Sequence, residues 1–354
     1  MIYLNAASHG WPSAQTFQSM VRHLEAARDR GPIVAASGNE CAPRAAAARM
    51  IGASREDVGF APSTSHAWTA VVAHLELSGR RVLVAPHEWG DNVRHLKSLS
   101  RRTGMRVEIL PELEWRSPDL LAWSDRIDDD VAAIFVPMVT SVQGIRYPVE
   151  EIAALPRPAE TRLVIDAAQA LGQMPVDVQR LSCDALVGTC RKWLRGPRGT
   201  ALFWRHPGRM GHMDIRDVEP ADLNPALLAG VEQAIEEYLS RGGDNIEPWL
   251  GPLRRHAMER AAALGLDFFG AVPPRTGTIC LAVPTVLADK VRLGLAAEAA
   301  IVKWPDHALS EPHAPEVSAG AVPLRLSPHV YNDLSDLDVV FDRIASAIKE
   351  RSRR

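Results

Sequence analysis

An aspartate that closes one apolar run and a lysine that follows the next are the residues whose types and spacing point most directly to chemistry. Leu163-Val164-Ile165 reads as a strand buried on both faces, and it ends on Asp166, where the chain leaves the sheet. A second run, Ala185-Leu186-Val187, delivers Thr189, Cys190, Arg191 and Lys192 to a Gly/Pro-bounded loop, after which residues 199–204 read as another strand. Ligands in open α/β sheets bind beyond the carboxyl ends of the strands, so Asp166 and Lys192 can face one pocket. An amine and an acid placed that way suit pyridoxal phosphate: the lysine makes the Schiff base and the acid holds the pyridinium nitrogen.

Taken in order, Asp166, Ala168 and Gln169, then Thr189 with Lys192, then Gly196-Pro197-Arg198-Gly199 spell D-x-A-Q, T-x-x-K and G-P-x-G. In these motifs, and over nearly its whole length, the sequence resembles the class V aminotransferase and cysteine desulfurase family of fold type I pyridoxal phosphate enzymes. The wording VIDAAQALG, RKWL-x-GPRG and LR-x-SPHV is most similar to the ergothioneine-pathway hercynylcysteine sulfoxide C–S lyases. The resemblance implies that Lys192 and Asp166 are catalytic, that Gln169, Thr189 and Arg191 contact the cofactor, and that the chain works as a homodimer.

Upstream, a strand over 58–62 empties into Ser63-Thr64-Ser65 and an apolar helix. Small hydroxyl residues at such a junction present N–H and O–H donors to an anion at the positive helix terminus, and the family places its phosphate-binding turn here. Trp89, in the turn after the strand at 81–86, aligns with the ring that relatives stack on the pyridine; an indole supplies the flat surface needed. Asn92 is a polar contact to cofactor or substrate. Ser141, after the strand at 131–136, stands where many relatives have an Asn on the cofactor ring oxygen, with Thr140 and Gln143 as alternatives.

Further implied contacts lie at the two ends of the chain. Ala7 and Ser8 match the opening stretch that lends backbone to the substrate pocket, with His9 as a local hydrogen-bonding residue. Asn224 matches the position that reaches the phosphate of a neighbouring subunit. Arg325 sits where relatives hold the substrate α-carboxylate, for which a guanidinium is a bidentate match. His329 and Tyr331, on the next turn, reach the substrate side chain or brace the loop. Cysteine desulfurases carry a nucleophilic Cys shortly before that Arg, whereas residues 301–324 contain none. Cys190, two residues before Lys192, is expected to pack beside the cofactor.

Strands alternating with helices predict an α/β fold: a mainly parallel seven-stranded sheet covered by helices on both faces, followed by a smaller α+β unit. The large domain is placed at 13–240; residues 241–354, with the N-terminal segment 1–12, form the small one. Helices are predicted at 14–28, 43–51, 225–241, 288–298 and 334–349, and strands of the small unit at 277–283 and 324–327. Residues 206–225, rich in Gly, Pro, Met and charge, suit a surface excursion.

With 46% hydrophobic and 23% charged residues among 354, the chain can bury a large core. A net charge of −3 leaves no basic footprint for nucleic acid. The Asp128-Asp129-Asp130 run reads as solvated surface, and the cysteines at 41, 183, 190 and 280 are too scattered for a metal site or a disulfide framework. No segment has the roughly 20 apolar residues of a membrane span, and the N-terminus lacks a signal-peptide pattern, so a cytoplasmic enzyme is expected.

The function implied is C–S β-lyase action on a cysteine S-conjugate, a thioether or sulfoxide, giving a thiol or sulfenate, pyruvate and ammonia. The alternative is decarboxylating oxidative deamination or aminotransfer on such a conjugate in natural-product biosynthesis. A catalytically dead scaffold is disfavoured, because Lys192, Asp166 and Arg325 are all present.

Overall fold

The computed structural model describes residues 1–36, 41–115, 118–243, 247–270, 273–315 and 320–352. Its strands are β1 (Ile2–Tyr3), β2 (Val58–Ala61), β3 (Arg81–Val84), β4 (Arg106–Ile109), β5 (Val131–Pro137) and β6 (Arg162–Asp166). They continue with β7 (Ala185–Thr189), β8 (Ala201–Arg205), β9 (Ile279–Pro284), β10 (Ala300–Ile301) and β11 (Ala321–Leu326). Seven of them form one sheet in the order β2-β8-β7-β6-β5-β3-β4. Pairings from β7 through β4 are parallel, and β8 runs antiparallel to both of its neighbours.

The apolar runs form strands because both faces of the sheet are covered. Along β6, Leu163 and Ile165 enter one core cluster while Val164 enters the other; β8 alternates likewise, Leu202 and Trp204 against Ala201 and Phe203. A third cluster lies against the antiparallel β9–β11 pair, where Leu281, Leu324 and Leu326 pack on Leu253, Val291 and Phe341 from the helices Glu247–Ala263, Thr285–Ala297 and Leu334–Ser352.

Two features depart from expectation. Residues 206–225 are not simply a surface excursion: Met210 and Met213 are fully buried and join Ile215 and Val218 in the second sheet-face cluster. The helix Glu247–Ala263 had no sequence prediction; it carries Pro252 in its interior, where a missing N–H usually argues against helix. At the N-terminus, β1 pairs in parallel with β10, and a bridge from Asn5 to Ser327 ties the following residues to the end of β11. These short pairings lead residues 6–10 across the carboxyl ends of β6 and β7. There Gly10 donates its N–H to the carbonyl of Arg191 at 2.7 Å, and a Cβ at Gly10 would lie 2.1 Å from the Lys192 carbonyl oxygen. Only glycine permits so close a crossing.

No helix among the described residues is long and apolar enough to cross a membrane. The Asp128 and Asp130 carboxylates pair with Arg81 at 2.6 and 3.1 Å, and no metal-binding group occurs among the described residues.

Candidate active site

The carboxyl ends of β5, β6 and β7 open into a cavity of about 490 Å³, within the size range of small-molecule sites. Asp166, the last residue of β6, is buried at its base. Its Oδ1 accepts from the Ala168 N–H at 2.8 Å and its Oδ2 from Asn92 Nδ2 at 3.2 Å. The same Asn92 amide donates to Glu88 Oε1 at 2.8 Å, so one NH₂ group spans two buried carboxylates. Asn92 therefore orients Asp166, and it also lines the cavity in which a contact to cofactor or substrate is expected of it.

Burial, together with the nearby Asp166 charge, raises the pKa of Glu88. Burial raises Asp166 too, opposed by the Ala168 N–H, Lys192 and Asn92. Two carboxylates in one dry pocket resist double ionisation, and a cation placed against Asp166 settles the charge there and leaves the proton on Glu88.

Lys192 lines the same cavity on the loop after β7. Burial and the positive Arg191 outweigh the attraction of Asp166 and lower the pKa of its amine to about 7. An amine in that range is substantially free base at neutral pH and can attack a carbonyl. Cys190 is fully buried away from the cavity, and burial pushes its thiol up to about 12; it packs and does not react.

One wall of the cavity is built for an anion. Ser63 caps the helix Thr64–Ala73, accepting from the His66 N–H at 3.1 Å, while the buried Thr64 hydroxyl has no partner. Ser63, Thr64, Ser65, Thr189 and Arg191 all line the cavity, and so does Arg198, which the sequence reading did not single out. Burial and the like charge of Arg198 lower the Arg191 pKa, and burial with the same cations lowers that of His9. A phosphate would relieve that repulsion, satisfy Thr64 and meet the positive end of the helix. Trp89 lines the cavity too, its indole N–H held by Asp91 Oδ2 at 3.1 Å. The donor set, the orphan hydroxyl, the free-base lysine and the buried acid thus fit pyridoxal phosphate.

Opposite, Arg325 is buried, donating to the Ser141 carbonyl at 2.6 Å and to Ser8 Oγ at 2.6 Å. Its Nε has no partner. Burial lowers its pKa to about 10, which still leaves it cationic, and a carboxylate would complete its hydrogen bonds. Ser141 serves this arginine through its backbone. Gln169 lines the cavity while bracing its rim: Nε2 donates to the Ala7 carbonyl at 3.1 Å and Oε1 accepts from Trp193 Nε1 at 2.9 Å.

Two further residues lie outside this chain's own cavity. His329 is buried behind the lysine loop, its Nε2 2.9 Å from the Trp193 carbonyl and its ring stacked on Tyr331 at 5.4 Å; it does not line the cavity. Burial lowers its pKa to about 3, so it braces the loop as a neutral ring. Asn224 caps the helix Pro225–Ser240, its Oδ1 accepting from the Ala226 N–H at 3.0 Å, outside the cavity of its own chain.

The sequence model of the family described as aminotransferase class-V matches residues 36–214. The chain belongs to this family. It is 27% identical over 370 residues to a probable hercynylcysteine sulfoxide lyase of Mycobacterium tuberculosis, covering 98% of this chain and 90% of that one. A probable cysteine desulfurase of Pyrococcus abyssi is 24% identical over 333 residues, with coverage of 86% and 82%. Among solved structures, the apo cysteine desulfurase of Thermococcus onnurineus NA1 superposes with a TM-score of 0.87 at 19% identity, covering 99% of this class V chain and 95% of its own. The fold is thus fold type I, as the motifs around Asp166 and Lys192 imply.

Proposed function

We propose that the protein is a pyridoxal phosphate-dependent C–S β-lyase that cleaves a cysteine S-conjugate into its sulfur fragment, pyruvate and ammonia, consuming one water. The observation that carries this reading is the convergence of Lys192, Asp166 and Arg325 on one cavity that no cysteine lines among the described residues. Without a thiol there, sulfur cannot be passed to the enzyme as a persulfide, and it leaves with the group it is attached to. The similarity to a probable hercynylcysteine sulfoxide lyase supports the same choice.

When bound, pyridoxal phosphate supplies an electron sink for the pair left at the substrate Cα. Ser63, Thr64, Ser65, Thr189 and Arg191 hold its phosphate, and Trp89 covers its ring. Asp166, kept in place by Ala168 and Asn92, holds the proton on the pyridine nitrogen. Arg325 binds the substrate carboxylate, which sets the direction of the Cα–H bond. Lys192 removes the Cα proton as general base. The Cα–Cβ double bond then forms as the Cβ–S bond breaks, and the sulfur departs with the bonding pair as thiolate or sulfenate. Water completes the conversion of the three-carbon remnant to pyruvate and ammonium.

The reading is tested by mass analysis of the products from a panel of cysteine thioethers and sulfoxides. Pyruvate together with a free thiol or sulfenic acid derivative is the expected result from at least one member. Products that all retain the carbon–sulfur bond would instead favour aminotransfer or decarboxylating deamination at the same residues.

A further inference from the structure

Far from Glu311 in sequence, His87 is buried with its Nδ1 2.7 Å from Glu311 Oε2 and its Nε2 3.0 Å from Glu112 Oε1. Glu311 is itself fully buried, and its other oxygen accepts from the Val142 N–H at 2.7 Å. One carboxylate thereby joins three pieces of the cavity wall. The first is the turn carrying Glu88 and Trp89. The second is the loop whose Ser141 carbonyl holds Arg325. The third is the segment from Lys303 to Ser310, which lines the cavity and belongs to the last third of the chain. Close packing reinforces the join, since a Cβ at Gly90 would lie 2.0 Å from the Leu309 carbonyl oxygen.

We propose that Glu311 is a positioning residue: by clamping His87 and the Val142 N–H together it fixes residues 303–311 as a rigid wall over the cavity and holds Ser141 where it orients Arg325 toward a substrate carboxylate. A buried carboxylate without a cation is costly, so the fully buried Glu311 depends on His87, whose ring it shares with Glu112. Burial opposes the charge on His87, but Glu112 and Glu311 outweigh it and push its pKa up to about 9, so the ring is a cation at neutral pH. Neutralising Glu311 leaves His87 held by Glu112 alone and frees the segment that Glu311 belongs to, while removing His87 strands the buried carboxylate; either change favours release of the segment. The inference rests on the proposed carboxylate-binding role of Arg325 and is independent of what is attached to sulfur.

The test is Glu311→Gln in the holoenzyme, which keeps an acceptor for Val142 and removes the charge. Backbone amides of residues 307–314 are expected to exchange with deuterium about tenfold faster than in the parent protein. The KM for the amino-acid substrate should rise about tenfold while kcat changes less than about threefold, the split expected when ground-state docking alone is loosened. Unchanged exchange and unchanged KM would overturn the proposal, and so would a fall in kcat at constant KM. Should the Gln variant not fold, His87→Asn breaks the same pair from the other side and must give the same two changes. If no substrate is turned over at all, the function proposed above fails, whereas the exchange measurement still decides the clamp.

Discussion

Lys192→Ala is expected to remove all borohydride-reducible attachment of pyridoxal phosphate and to lower turnover by at least about 10⁴-fold, since the covalent tether and the general base are lost together. Lys192 faces the cavity on the loop after β7, near the buried Asp166, and no other lysine combines that loop with a partner acid. The fold should survive, because the methyl of alanine leaves the Gly10 and Trp193 backbone contacts of the loop intact. The check is the absorbance of the purified variant before and after reduction, with peptide mass mapping of the reduced parent. Cofactor fixed to the variant by borohydride would refute the assignment. The amine pKa of about 7 adds a pH dependence. Below pH 7 the free base falls about tenfold per unit, and reattachment of cofactor to the apoprotein should slow in step.

Asp166→Asn is expected to retain cofactor yet lose about 10²- to 10³-fold in kcat, the range found when a preorganised electrostatic partner is removed from a reacting centre. The neutral amide fits the same space and can still meet the Ala168 N–H through its oxygen. It cannot stabilise a positive pyridinium, and the Asn92 amide would then serve Glu88 alone. Steady-state kinetics beside a cofactor titration separate the two effects. Near-normal kcat would show that the ring nitrogen does not depend on Asp166.

Much of this architecture was legible in the sequence because its signals are local. Apart from the edge strand β4, strands β2 to β8 are mostly apolar and buried runs, and their ends mark where Ser63, Trp89, Ser141, Asp166 and Lys192 emerge. The helix Glu247–Ala263 was not legible, since Pro252 interrupts it, and neither was the two-residue pair β1–β10, too short for any periodicity. The burial of Met210 and Met213 also escaped notice, because a Gly- and Pro-rich stretch hides single anchoring residues.

In the site, contacts between distant segments were the ones missed. Asn92, which lines the cavity, also meets Asp166 across 74 positions of sequence, and Glu311 meets His87 across 224. No spacing rule encodes such pairs. For His329 the sequence left two roles open, and the structure favours bracing the loop: the motif around Arg325 continues through it, but the turn directs its ring back toward Trp193 and away from the cavity.

The most direct test of the central claim is the product balance over many turnovers of a cysteine S-conjugate, without a 2-oxo acid acceptor and under exclusion of oxygen. β-Elimination returns Lys192 and the cofactor to their starting state by itself, so pyruvate and ammonia should accumulate in equal amounts, with one equivalent of released sulfur compound and no carbon dioxide. A reaction that stops after a single turnover, or that evolves carbon dioxide and requires oxygen, would contradict the lyase account.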